Sequence, residues 1–179
     1  MKFLTVLVVP ILASSLWAQT TGAQNPLSAC GAQRARYRLK TTDSKAIPAP
    51  DPAMATLVFI EDEIQLRPGH LLCVKCSTRV QLGMDGQWIA ATKGFAHTSV
   101  SIGPGDHHFC AVGLPAVFGP SPVDSFFSLH AEAGKTYFLR GRLSYFYRSH
   151  EDVLDLSRIN DDEGRYMVFV TPEIVATRK

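Results

Sequence analysis

Two short stretches hold the side chains with the most evident chemical capacity, Cys73-Val-Lys-Cys76 and His107-His-Phe-Cys110. Thiolates and imidazoles in such groupings are zinc ligands, and a Cys-x-x-Cys pair is also the core of many thiol–disulfide redox sites. Neither chemistry is well served here. His107 and His108 are neighbours in an extended segment, so their side chains leave opposite faces and do not converge on one ion. A redox pair usually opens a helix whose N-terminus stabilises the thiolate, but Leu71-Leu72 precede Cys73 and Ser77-Thr-Arg79 follow Cys76 without a helical pattern. No metal and no other cofactor is therefore expected. The four cysteines Cys30, Cys73, Cys76 and Cys110 read instead as two disulfides, provided the compartment is oxidising. In extended chain Cys73 and Cys76 lie too far apart to bond, beyond about 7 Å, unless Val74-Lys75 turn. Each is expected to bond a distant partner, Cys30 or Cys110.

Carboxylates offer the next chemistry. Glu61-Asp62-Glu63 and Asp161-Asp162-Glu163 could supply a glycosidase pair, yet consecutive acids at element ends are usually solvated turns. The second cluster fits the first turn of a helix, where acids face the positive end of the dipole. His97 and His130 fall within strand patterns and read as satisfied or exposed strand residues. The chain has no Gly-x-Ser-x-Gly elbow, no His-Glu-x-x-His and no phosphate-cradling glycine loop. A small metal-dependent or hydrolytic enzyme is thus the second reading, behind a non-catalytic one.

The best candidate for a ligand surface is the aromatic and cationic run Tyr137, Arg140, Arg142, Tyr145 and Tyr147. Rings and guanidinium groups on one strand can stack on a glycan or a peptide. The plainer reading puts one face of that strand in the core and its arginines in water. Nucleic acid is not an expected partner, since 18 Lys+Arg against 16 Asp+Glu gives a charge of only +2.

The compartment is decided by the N-terminus. Met1-Lys2 precedes an uncharged run from Phe3 to Trp17, which is followed by small and polar residues. One cation, a short apolar run and a small residue make a secretory signal, too short to span a bilayer as a helix of about 20 residues. Residues 1–18 are expected to be removed, leaving an exported protein in the periplasm or outside the cell. Leu27-Ser-Ala-Cys30 resembles the box that precedes a lipid-modified cysteine, but Ala18 to Pro26 separate it from the apolar run. Membrane attachment is expected only if Cys30 is lipidated.

Residues 19–52 form an extended lead-in, in which Arg34, Arg36, Arg38 and Lys40 alternate with Ala35, Tyr37 and Leu39 as in a strand. Ile47-Pro-Ala-Pro-Asp-Pro52 then makes a stiff linker. From residue 53 to 179 strand signals recur between Gly and Pro turns. Thr56 to Ile60 is a buried apolar run, and Thr78–Met84, Asp85-Gly86 and Gln87–Ala91 form a hairpin. Further strands are expected near 95–102, 107–112, 125–131, 136–147 and 153–159. A short helix follows over Asp161–Met167, and then the apolar run Val168–Thr171. The fold class is all-β with minor α: an antiparallel β-sandwich of about seven to eight short strands.

Ala55-Thr-Leu-Val-Phe-Ile60, Val80-x-Leu-x-Met-Asp-Gly86, Pro104-Gly-Asp-His107 and Ala133-Gly-Lys-Thr-Tyr-Phe-Leu139 occur in this order. Together they resemble the bacterial family called domain of unknown function 2846, over about residues 53–171. The resemblance implies a small exported or envelope-associated β-sandwich and assigns no catalytic residue. Many members of that family resemble lipoproteins, whereas here the cysteine stands far from the apolar run. The expected function is a non-catalytic binding or structural domain of the cell envelope, with an envelope protein, a peptide or a glycan as partner. A lipid-anchored assembly protein is the alternative that depends on Cys30.

Overall fold

The computed structural model describes residues 30–31, 35–63, 78–114, 122–146 and 151–179. Residues 1–29, which carry the expected leader and its cleavage point, lie outside the described residues, as do Cys73, Cys76 and Tyr147. Ten strands and one helix follow in order: β1 (Tyr37–Thr42), β2 (Ala55–Glu63), β3 (Arg79–Met84), β4 (Gln87–Ala91), β5 (Ala96–Ile102), β6 (Gly105–Leu114), β7 (Val123–Ala131), β8 (Thr136–Phe146), β9 (Glu151–Ile159), α1 (Asp161–Val170) and β10 (Glu173–Arg178). They form two sheets, one in the order β1-β10-β5-β2-β8-β9 and one in the order β4-β3-β6-β7. The all-β sandwich-like class is as the strand pattern predicts.

Its larger sheet is mixed. The pairs β2–β8 and β10–β5 run parallel, and the remaining ladders are antiparallel. A parallel pair needs a crossover, and among the described residues no helix lies between β2 and β8 to supply one. Here the crossover from β2 to β8 passes through the other sheet, which holds β3, β4, β6 and β7.

β2 explains why the sandwich needs a third layer. Leu57 and Phe59 enter the core between the sheets with Val80, Leu82, Phe109, Leu139 and Leu143. Val58 and Ile60, one residue out of phase, face the other way with Phe138, Ile159 and Val168 of α1. A strand buried on both faces reads as an unbroken apolar run, as Thr56–Ile60 does. The outer face of the smaller sheet is covered in turn by the lead-in: Cys30 and Ala35 pack with Trp88, Cys110 and Val112. The β3–β4 hairpin turns at Asp85 (φ 49°) and Gly86 (φ 80°), the positive-φ pair that its sequence requires.

α1 starts where Asn160 accepts the Glu163 backbone N–H at 2.9 Å, with Asp161, Asp162 and Glu163 in the first turn. The helix extends beyond the expected Asp161–Met167, to Val170. Val168 lies four residues after Gly164 on the buried helix face, so the apolar run completes α1. The helix stops at Thr171, whose N–H returns to the Met167 carbonyl, and Pro172 follows. Lys45 supplies the cation that the last turn lacks, its Nζ lying 2.5 Å from the Thr171 carbonyl oxygen.

Candidate functional site

The aromatic and cationic run of β8 is divided by strand geometry. Tyr137 is buried in the core, its hydroxyl accepting the Glu132 N–H at 2.9 Å and its ring lying 5.0 Å from the Arg158 guanidinium. Arg140 and Arg142 sit on the opposite face, since side chains alternate along a strand. Both are held by carboxylates: Arg140 by Glu163 of α1 at 2.7 Å, and Arg142 by Asp62 of β2 through Nε at 2.8 Å. Tyr145 belongs to β8 by its backbone, and Tyr147 lies outside the described residues. Tyr137 therefore does not share a surface with Arg140 and Arg142.

The carboxylate clusters are also structural. Glu61 is not solvated as expected: it is fully buried at the end of the apolar run and accepts a hydrogen bond from the Thr78 hydroxyl. Strand β2 continues through all three acids, so Glu61 and Asp62 leave opposite faces, one inward and one toward Arg142.

The histidines are placed by the β6 ladder. His107 Nδ1 lies 2.7 Å from Asp85 Oδ2, and its Nε2 lies 2.8 Å from the Gly103 carbonyl oxygen. Both partners are acceptors, so the geometry suits the protonated ring, in which both nitrogens donate. Burial alone would depress its pKa, but the hydrogen bonds to Asp85 and Gly103 raise it above the usual histidine value. For Asp85, burial pushes upward and is outweighed by His107 and the His108 N–H, which hold the carboxyl below its usual value. With both nitrogens committed, the dyad has no nitrogen with which to take a proton from a substrate. On the opposite, exposed face His108 meets Ser128 at 3.0 Å, and His130 meets Asp106 at 2.7 Å. Among the described residues no group of three or more His, Cys, Asp or Glu could hold a metal ion.

His97 is fully buried beneath the C-terminal end of α1. Thr171 Oγ1 donates to the Met167 carbonyl, so it accepts from His97 Nδ1 at 2.8 Å, which places a proton on that nitrogen. Burial lowers the His97 pKa, against the pull of Glu173. His97 and His107 thus act oppositely on stability. A raised folded pKa contributes stability in full below the unfolded value of 6.5 and loses it as pH climbs through the folded value. His97, with a lowered folded pKa, loses stability as pH falls below 6.5. His107→Gln is expected to reduce stability by about 1 kcal/mol at pH 5.5, water at the turn keeping the loss modest. That deficit should shrink as pH rises through the folded His107 value. Urea unfolding of both proteins from about pH 5 to 9 measures it, and a deficit independent of pH would contradict the imidazolium assignment.

The cysteines pair differently from expectation. Cys30 bonds Cys110, with Cα atoms 5.2 Å apart, so neither is the partner of Cys73 or Cys76. The bond ties the lead-in to β6 and takes the Cys110 sulfur out of any metal site with His107 and His108.

One recess combines access with uncompensated charge. It lies in the angle between β1 and the β3–β4 hairpin, has a volume of about 280 Å³, and is lined by Arg36, Tyr37, Arg79, Gln81, Thr92 and Lys179 among others. Among the described residues no acidic side chain lines it, and Arg36, Arg79 and Lys179 are exposed. Gln81 Nε2 donates to the Ala35 carbonyl at 2.7 Å, which fixes its amide in the wall. Burial raises the Tyr37 pKa, with Arg178 opposing, so the phenol is neutral and able to donate. Three cations, a phenol and an open mouth suit the anionic group of a larger ligand. β1 was expected to be a basic strand. Its meeting with Arg79 is made by the fold and has no local signal. Comparison of the chain with protein-family models, with curated proteins and with solved structures returns no match.

Proposed function

We propose that the protein is an exported bacterial envelope protein that acts by binding, and that the recess between β1 and the β3–β4 hairpin receives an anionic group of a peptide or glycan. The observation that carries the reading is the contrast in how charge is placed. Arg140, Arg142 and His107 are tied into carboxylate pairs, while the recess gathers Arg36, Arg79 and Lys179 around an opening that has no acidic side chain among the described residues. The leader-like N-terminus and the resemblance to domain of unknown function 2846 support export. The Cys30–Cys110 bond supports an oxidising compartment and weighs against the lipid-anchored alternative, since the same sulfur cannot carry a thioether lipid.

Intact mass of the chain produced in a bacterial host tests export. Loss of about residues 1–18 with oxidised cysteines is expected, and an uncleaved cytoplasmic chain would refute it. Calorimetric titration with acidic oligosaccharides and acidic peptides tests binding. Arg79→Gln is expected to weaken the best ligand about tenfold, as for one charge-assisted hydrogen bond. Equal affinity in wild type and variant would remove the recess from the function.

A further inference from the structure

Helix α1 presses Gly164 and Val168 onto the larger sheet, and its outward side, charged at Asp161, Asp162 and Arg165, turns apolar toward the C-terminal end. Tyr166 is 63% exposed and Phe169 70%, three residues apart on one stripe, and Val170 beside them is 38% exposed. A surface helix ordinarily carries charged residues there. The apolar surface continues onto β10, where Val175 is 46% exposed. Glu173 pairs with His97, which lies under α1, so Val175, two residues on, looks out on the side of the sheet that carries the helix. Directly across the β1–β10 ladder Val175 neighbours Lys40, and Thr177 neighbours Arg38, both cations exposed. Lys45, held at the Thr171 carbonyl, adds a third cation next to Val170. The acids of α1 stand at its other end, where Glu163 is paired with Arg140.

We infer that this face is an anchor for an anionic lipid surface, with the Tyr166–Phe169–Val170 ridge entering the headgroup region and Lys40, Arg38 and Lys45 meeting lipid phosphates. Charge complementarity selects this occupant. Aromatic and aliphatic groups on one face with cations beside them are the composition of helices that lie in a membrane interface. Protein partners instead concentrate binding energy in side chains enclosed by pockets, and this ridge is largely exposed. Among the described residues no helix is long and apolar enough to cross a membrane. The face is distinct from the cationic recess, and the inference stands whether or not the recess binds a ligand.

Co-sedimentation of the purified, disulfide-bonded protein with vesicles of phosphatidylglycerol and phosphatidylethanolamine, and separately of phosphatidylcholine alone, is the test. At least tenfold stronger partition into the anionic vesicles is expected. Phe169→Ser should reduce it about tenfold, and Lys40→Glu about fivefold or more. Both positions are exposed, and an unchanged unfolding midpoint would show the fold intact. Equal binding to both vesicle types, no binding, or anionic binding untouched by either substitution would overturn the inference. So would a concentration-dependent dimer that Phe169→Ser dissolves, with no vesicle binding, which would assign the face to a second copy of the chain.

Discussion

Gly164→Ala is expected to destabilise the protein by about 2 kcal/mol, the reverse of what its position inside a helix predicts. Alanine in place of glycine at an exposed helical site gains about 1 kcal/mol. At Gly164 a Cβ would stand 2.2, 2.4 and 2.6 Å from three ring carbons of Phe138. Phe138 is fully buried among Val58, Ile60, Ile159 and Val168, so the ring has no solvent to move into. Either α1 lifts off the sheet and uncovers that cluster, or the ring leaves its rotamer. Overpacking of this kind costs about 1–3 kcal/mol and sometimes more, which outweighs the propensity gain. A loss of about 2 kcal/mol should lower the melting temperature by roughly 4–8 °C in a chain of this size. The contact itself is tested by a double-mutant cycle with Phe138→Leu. Phe138→Leu alone should be destabilising, and Gly164→Ala should cost less in that background than in the wild type. An alanine variant as stable as the wild type would show that α1 does not pack as closely as Gly164 requires.

What could be read along the chain depended on how local its cause was. Asp85-Gly86 states its own turn, because the two positive φ angles are a property of those residues. Thr56–Ile60 announces a strand buried on both faces, and the acids after Asn160 announce a helix start. The burial of Glu61 could not be read, since it follows from Thr78 arriving from elsewhere in the sequence. The parallel pairings of β2 with β8 and of β10 with β5 were hidden for the same reason: they join segments separated by several intervening strands. At the candidate sites the division is similar. Strand alternation alone separates Tyr137 from Arg140 and Arg142, so the split of that surface was legible in its spacing. The spacing of Tyr166 and Phe169 also marks one helix stripe, but only packing shows that this stripe is the outward one. Arg36 and Arg79 carry no mutual signal, because nothing near either residue records that β1 and β3 meet.

Replacing both Cys30 and Cys110 by alanine is expected to cost the most of any change considered, about 4.5 kcal/mol. The bond closes a loop with a sequence separation of 80 residues. Chain entropy for a loop of that size gives roughly 4–5 kcal/mol, nearly all of it felt in the unfolded state. Removal therefore expands the unfolded ensemble, so the denaturant dependence of stability should steepen while the folded sandwich keeps its strands. The native-state loss should be confined to the lead-in. Both cysteines are fully buried with Ala35, Trp88 and Val112, a small cluster separate from the core between the sheets. The Cys30 backbone lies directly on β3, where a Cβ added at Gly83 would be 2.7 Å from the Cys30 carbonyl oxygen. Without the bond the start of the lead-in is held, among the described residues, by this small cluster, the Gln81–Ala35 hydrogen bond and the β1–β10 ladder, so protease should cut near residue 35 before the sandwich opens. Urea unfolding of wild type and double variant, with non-reducing peptide mapping of the wild type, decides the matter. Mapping should recover Cys30 joined to Cys110. A peptide joining Cys30 to Cys73 or Cys76, or a stability loss below about 1 kcal/mol, would show that the lead-in is not tied to β6 in the way that closes this loop.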